Sequence, residues 1–574
     1  MNPPELPEGY YLTNFESLCE FVYARYEDLL TPEERAFRVD FRALEDSAKR
    51  LYVRLLMRKG NCFRTEKLSY ADVTGLSDAL ATLANQGFIR PASGEDVTEL
   101  LEVCTKPEVL NWLASQTAAT HFLPKWRSEK KAALVAAVVE WLSAHPTENQ
   151  SFLSAFPALI LQRTEAFDVY KLLYFANLRQ DLTEFVLRDL GIYTYVPYPL
   201  NRAARFFHTR PQIEAHLAYY ALSAELDEEA AKSVERLHEV GERLARLPDT
   251  DRLIHRRTVR MGNRLARQLE RLGETEKAQA CYARLDQHPA RERQVRILAQ
   301  NHHFQAALNL CQTMLAAPWC EEERLFALAF GHRTWTRWQK EAIPDNSASP
   351  DDSGLPAGYA ACFAKPEKLC SPLVRSLVLP LADSVELAVA DHYGDAWYVE
   401  NSLFNGLLGL AIWDLVFADV PGAFFNPFQV MPLDFNEPDF MVQRDHLWNP
   451  LQAKLKEPGH LAELVQRNYQ AHYGQVNPLV FWPALTEPLL EMALARIPPP
   501  HLLAVFDRLL EDLPNHRSGL PDLIRFPDSG GYELVEVKGP GDRLQNNQAR
   551  WMHFFARESI PHALVNVVWK EMNG

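Results

Sequence analysis

Apolar residues recur at helical spacing through most of the first 330 residues, and strand-like alternation is clear only near the C-terminus. That change of period restricts the chain to a multidomain, predominantly α body carrying one small α/β unit. Its 574 residues leave room for roughly three or four domains at the usual ~150 residues each. In residues 1–95, Phe15, Leu18, Cys19, Val22 and Leu29 follow a Thr13-x-x-Glu16 sequence of capping-box form. A second helix buries Leu51, Leu55 and Leu56, and a third (Leu76, Leu80, Leu83) ends at Gly87. A compact helical unit with a basic helix is compatible with a winged-helix-like DNA-binding module, which periodicity by itself does not define.

Residues 96–165 predict two short helices, one from Lys106 through Leu110 onward and one from Lys130 to Leu142, around a basic turn, Lys125-Trp126-Arg127. This is either a SAP-type DNA-binding unit or a plain helical hairpin. In 166–342 the pattern Leu265, Leu269, Leu272-Gly273, Ala278 and Tyr282 returns in part at Phe304, Ala307 and Leu308, as in tetratricopeptide (TPR)-like helical repeats. Such a solenoid braces or binds rather than performing chemistry. The Pro-, Asp-, Ser- and Gly-rich segment Ile343–Pro356 opens a linker or long loop over 343–370, and 371–574 forms the last domain.

The net charge of −15 argues against nucleic acid as a partner for the chain as a whole, since phosphate contacts require Lys and Arg. Residues 49–67, however, carry seven basic side chains against one acidic, so Arg50, Arg54, Arg58 and Lys59 are either DNA contacts or one solvated helix face. Lys125 and Arg127 in the basic turn join them as candidates, as do Arg202 and Arg205, three apart on one helical face, whose other reading is ordinary surface arginine. Eight cysteines include no C-x-x-C pair, which fits free thiols in a reducing compartment. No apolar run approaches a membrane span and no secretory signal opens the chain, so a cytoplasmic protein is expected, nucleoid-associated if bacterial. Neither a phosphate-binding G-x-x-x-x-G-K-[ST] loop nor an H-E-x-x-H metalloprotease motif is present.

The chemistry points to the C-terminus. Gly519-Leu520-Pro521-Asp522 leads into an apolar strand, Leu523–Phe526, then a turn at Pro527–Gly531 and a second strand, Tyr532–Lys538. Glu536 and Lys538 lie two apart and share a face, and Asp522 at the head of the first strand comes close to Glu536. Two carboxylates and an ammonium around one point form the PD-(D/E)xK arrangement of many nucleases. Phosphodiester hydrolysis calls for a hard cation, and Mg²⁺ takes one or two carboxylates plus solvent and phosphate oxygens. Asp522 and Glu536 offer those ligands, with the Val537 carbonyl as a further one. Lys538 then orients or deprotonates water, or stabilises transition-state charge. Leu544, Gln548, Trp551 and Phe555 share one face of the next helix, which predicts a buried Gln548 bonded to a catalytic carboxylate or a water. The chain holds six Pro-Asp dipeptides, so by spacing alone the motif competes with a surface hairpin that has charged edges.

GLPDL, LVEVKGPGDRL and QARW closely resemble the VRR-type nuclease domain of the Fanconi-associated nuclease family. The likeness extends to the stretch from Val399 to Phe435 and to AKRLYVRLLMRKG, GFIRP and YPLNRAARFF, so it covers nearly the full chain. The resemblance implies a catalytic set of Glu400, Asp522, Glu536 and Lys538, with Val537 ligating the cation through its carbonyl. It also implies a SAP-like DNA-binding front, a TPR-like middle, Mg²⁺ or Mn²⁺ as cofactor, and a 5′ flap or related branched DNA as substrate, cut on the flapped strand near the junction in interstrand crosslink repair, with 5′-3′ exonuclease activity as an accompanying expectation. A Holliday-junction resolvase or exonuclease on the same fold, or a non-catalytic junction-binding scaffold, are the competing readings. The ubiquitin-binding zinc finger of animal members has no counterpart in this sequence, which suggests a bacterial member. Asn547 replaces a lysine of the animal proteins, which leaves a dedicated 5′-phosphate pocket open.

Overall fold

The structure, a computed structural model, describes residues 6–183, 185–186, 190–227, 233–342, 358–365 and 372–570. Contacts divide the chain into two units, 1–193 with 201–213, and 194–200 with 214–574.

The first unit is helical around an aromatic core in which Phe15 packs on Phe41 (4.6 Å between ring centroids) and Tyr52 on Phe88 (4.9 Å). Its first helix, Tyr10–Tyr26, starts earlier than expected: left-handed Gly9 is the N-cap, and Thr13 lies a turn inside, its carbonyl accepting from Ser17. Working capping boxes stand instead at Thr31/Glu34 and Thr105/Glu108, where each side chain satisfies the other's backbone N–H. A three-stranded antiparallel sheet, which the helical periodicity does not foreshadow, completes this unit. Its strands β1 (Cys62–Arg64), β2 (Ile89–Pro91) and β3 (Ala158–Leu161) run in the order β1-β3-β2. Each is too short to show alternation, and β3 is buried along its whole length, which removes the period-2 signal. The SAP-like segment thus folds between two strands of the sheet, packing Val109, Trp112, Trp126 and Trp141 around its own core. Lys125-Trp126-Arg127 is a helical turn within Leu123–Ser128.

In the second unit, helices from Val234–Ala245 to Glu321–Ala342 stack in sequence. Leu265, Leu269, Ala278 and Tyr282 are buried between them, as are Phe304, Ala307 and Leu308. Leu272 is exposed, because it is the C-cap residue at which the helix stops before left-handed Gly273. The expected linker Ile343–Pro356 lies outside the described residues; just beyond it, the short helix Gly358–Cys362 and Phe363 pack Tyr359 and Phe363 against Trp335 and Met314.

The C-terminal sheet has the order β4-β8-β7-β6-β5, with β4 Leu373–Leu379, β5 Ala396–Tyr398, β6 Leu523–Arg525, β7 Glu533–Lys538 and β8 His562–Trp569. β5, β6 and β7 are antiparallel, and β7–β8 and β8–β4 parallel. Ile524 and Leu534 face a large core with Leu407, Trp551 and Phe555; Leu523, Val535 and Val537 face a smaller one with Val389 and Val565. The central strand is therefore buried on both faces, and a charged residue there needs a specific reason. Among the described residues no single helix is long and apolar enough to cross a membrane.

Candidate active site

The expected hairpin forms with Leu523 opposite Val535 and Ile524 opposite Leu534. Extending that register by one residue sets Asp522 opposite Glu536, and opposed residues project to the same face. Asp522 is anchored through its side chain: Oδ2 accepts the Val537 N–H at 2.8 Å. Its carbonyl accepts the N–H groups of Val399 (2.8 Å) and Glu400 (3.2 Å), so the end of β5 delivers Glu400 to the same corner. Lys538 Nζ donates to Glu536 Oε1 at 2.7 Å.

Glu536 is fully buried, and its Oε2 has no hydrogen-bond partner. Burial is the main reason its carboxyl is pushed up to about 8; the Asp522 charge adds to this and Lys538 opposes it. Asp522 is raised to about 6, again chiefly by burial, with the Glu386 and Glu400 charges adding and the Val537 N–H and Lys538 opposing. A buried carboxylate oxygen without a donor costs about 1–3 kcal/mol. Two neighbouring carboxyls, both raised by burial and by nearby carboxylate charge, form a site that a bound cation would stabilise.

The donor atoms suit a hard divalent ion, because all are oxygens. Leu534 N–H bonds toward β8, to Pro561 O, so by alternation the N–H and C=O of Val537 face the opposite side, where Asp522 sits. The Val537 carbonyl thus lies on the same edge of β7 as the N–H that bonds Asp522. Among the described residues no three His, Cys, Asp or Glu side chains close into a ready-made metal cage. The reason lies in their present partners: Glu400 accepts from the Tyr398 hydroxyl and from Asn401 Nδ2 (3.4 Å), Asp522 from Val537, and Glu536 from Lys538. Mg²⁺ keeps several waters and substrate oxygens, so a full protein cage is not required.

Sequence reading missed Tyr398 and Glu386. Tyr398 donates to Glu400, and this bond raises its own hydroxyl pKa; two residues before Glu400, it was within reach of a spacing argument. Glu386, in the first turn of helix Val385–Tyr393 and bonded by the Ser384 hydroxyl at 2.8 Å, offers no motif that would have found it. Gln548 is a correction: it is half-buried, and Oε1 accepts the Gln545 N–H at 2.9 Å in a capping box that starts helix Asn546–Arg557. Its N3 position, rather than the apolar stripe, fixes its partner. Leu544 lies before that helix. Gly519 holds φ 84°, and a Cβ there would fall 2.8 Å from the Asn547 side chain, so the loop leading to Asp522 tolerates only glycine.

The candidate DNA contacts separate by partner. Arg50 pairs with Asp46 (2.6 Å), Arg54 with Asp72 (2.9 Å) while lying over Tyr11, and Arg58 bonds the Tyr70 hydroxyl (3.0 Å). Arg202 reaches Asp28 at 2.7 Å. Arg205 is buried, forked onto Asp28 at 2.7 Å on both arms, and also donates to the Arg25 carbonyl at 2.6 Å. These are structural roles for Arg205 above all. Lys59, Lys125 and Arg127 are exposed. Arg205→Ala is therefore expected to cost about 1–3 kcal/mol, chiefly by leaving the buried Arg25 carbonyl without its donor while the half-exposed Asp28 stays solvated, read as a lower midpoint in chemical unfolding. A Lys125→Glu/Arg127→Glu double variant should keep that midpoint and instead weaken DNA binding with a shallower salt dependence.

An antiparallel hairpin bearing Asp, Glu and Lys on a mixed sheet, attached to helical modules, defines a nuclease of the PD-(D/E)xK class, and the VRR-NUC domain profile matches residues 456–569. The profile described as FAN1, HTH domain, matches residues 9–90. The chain is 35% identical to the Fanconi-associated nuclease 1 homolog of Pseudomonas aeruginosa over 99% of its own length and 98% of that protein. It is 25% identical to the Arabidopsis thaliana homolog, covering 94% of this chain and 65% of that one. Two crystal structures of paFAN1, bound to 5′ flap DNA with a 2-nucleotide or 1-nucleotide flap and a gap, superpose with TM-scores of 0.79 and 0.80 at 32% and 31% identity, each covering 99% of this chain and 100% of the other. This chain belongs to the Fanconi-associated nuclease 1 family.

Proposed function

We propose that the chain is a divalent-cation-dependent, structure-selective endonuclease that cuts 5′ flap or related branched DNA in interstrand crosslink repair, with Asp522, Glu536, Glu400 and the Val537 carbonyl holding Mg²⁺ or Mn²⁺. The observation that carries this reading is the fully buried Glu536 with an unpartnered Oε2, opposite Asp522 and beside Lys538. The paFAN1 structures with 5′ flap DNA supply the substrate class.

When bound, the cation would neutralise charge on the phosphate and acidify water. The chain's own residues do the rest. Val537 N–H holds Asp522 in one orientation, so its second oxygen is presented without a rotamer search. Glu536 fixes the Lys538 ammonium, which is largely buried and so acts in a low-dielectric setting. A phosphate entering over Asp522 and Glu536 meets that ammonium, which stabilises the negative charge growing on its oxygens. The hydrophobic packing of Trp551 and Phe555 under the hairpin makes this arrangement stiff.

The test is a panel of matched duplex, fork, 5′ flap, 3′ flap and four-way substrates with Mg²⁺ or Mn²⁺. Incision of the flapped strand near the junction on the 5′ flap is expected, with slower cutting of plain duplex. Preference for the four-way junction would favour a resolvase, stepwise shortening of a plain 5′ end an exonuclease, and tight binding with no turnover a scaffold.

A further inference from the structure

Glu400 and Asp522 come from separate parts of the chain, yet their backbones meet through an unusual turn. Asn401, directly after Glu400, holds φ 54° in the left-handed region, where a non-glycine residue is uncommon. Its side chain explains the exception. Oδ1 accepts the Leu520 N–H at 3.0 Å, and Nδ2 lies 3.4 Å from Glu400 Oε1. Leu520 offers the last free backbone donor before Asp522, because Pro521 has no N–H.

A second amide locks the first. Asn405, buried one helical turn further on, donates from Nδ2 to the Asn401 carbonyl (2.5 Å) and to the Arg517 carbonyl (2.9 Å). The two asparagines therefore join the Glu400 turn to both ends of the 517–520 loop that carries Asp522. With the Val399 and Glu400 N–H groups on the Asp522 carbonyl, the connection is made by four hydrogen bonds.

We infer that Asn401 is a positioning residue that sets the separation of the Glu400 and Asp522 carboxylates and so tunes the site's affinity for its cation. The inference rests on the proposed cation site. It distinguishes Asn401 from a simple turn residue, because a turn residue needs only the left-handed backbone, which glycine supplies, whereas positioning needs the amide. Groups that support a ligating carboxylate contribute about 10- to 100-fold in metal affinity.

The experiment is Mn²⁺ binding by isothermal titration calorimetry to the full-length protein without DNA, comparing wild type with Asn401→Gly, Asn401→Asp and Asp522→Ala. Asn401→Gly keeps the backbone and removes the amide; it is expected to retain the wild-type melting temperature in chelator and to bind Mn²⁺ about 10-fold or more weakly. Asn401→Asp preserves an acceptor for Leu520 and should keep the fold too, giving a second variant should the glycine be poorly folded. Because its new carboxylate replaces the donor to Glu400, its Mn²⁺ affinity should also differ from wild type. Wild-type Mn²⁺ affinity in both folded variants, with Asp522→Ala losing binding, would overturn the positioning role and leave the cation site intact. Unchanged binding in Asp522→Ala as well would instead remove the cation site on which the inference rests.

Discussion

Lys538→Ala is expected to slow single-turnover flap cleavage by about 10²–10³-fold while leaving DNA affinity within a few-fold of wild type. The ammonium is held by Glu536 and is only 12% exposed, so its charge acts where water screens it least. Asp522→Asn should cost at least as much. It preserves shape and can still accept the Val537 N–H, but it removes the charge that draws the cation. Quench-flow with a labelled 5′ flap would separate the step from binding: a reduced rate constant at saturating enzyme places the loss in chemistry, whereas a weakened Kd with an unchanged rate would place Lys538 in DNA capture.

Glu536→Gln should behave in two opposite ways. Activity is expected to fall about as far as in the Lys538 variant, yet the chelated protein should become more stable at alkaline pH, because glutamine never places a charge in the buried site. The folded carboxyl sits near 8, above its unfolded value of about 4.3. Stability from the neutral form is therefore complete below about pH 4.3 and is lost as pH rises through about 8, while glutamine never ionises. Urea unfolding in chelator should show the two proteins converging near about pH 4 and the variant ahead by about pH 9. Adding Mn²⁺ should stabilise wild type and not the variant, which reverses the ranking. A variant less stable than wild type across the range in chelator would mean that Glu536 is satisfied without a cation.

The hairpin was legible because its signals are local. Asp522, the Pro527–Gly531 turn and the Glu536/Lys538 alternation all fall within one short stretch, and the period-2 rule put the carboxylate and ammonium on one face, as the Lys538–Glu536 bond bears out. Glu400 was not legible in that sense. It reaches the site through backbone bonds from Val399 and Glu400 to Asp522, which no spacing encodes, and only resemblance to the family pointed to it. Gln548 was misjudged for the converse reason: it does sit on the face of Trp551 and Phe555, but it lies in the first turn, where the orphan N–H of Gln545 takes its oxygen. The arginines were the least legible. Nothing in a run of basic residues separates Arg205, spent on Asp28 and the Arg25 carbonyl, from Lys125 and Arg127, which face solvent. The small first sheet escaped because its third strand is supplied from beyond the helices of the SAP-like segment.

The most direct test of the central claim is anomalous diffraction from crystals of the full chain with 5′ flap DNA and Mn²⁺. The account predicts a peak within about 2.0–2.5 Å of carboxylate oxygens of both Asp522 and Glu536, the range for hard divalent cations. Mn²⁺ bound elsewhere on the DNA-loaded protein, with Glu536 still bonded to Lys538 alone, would contradict it.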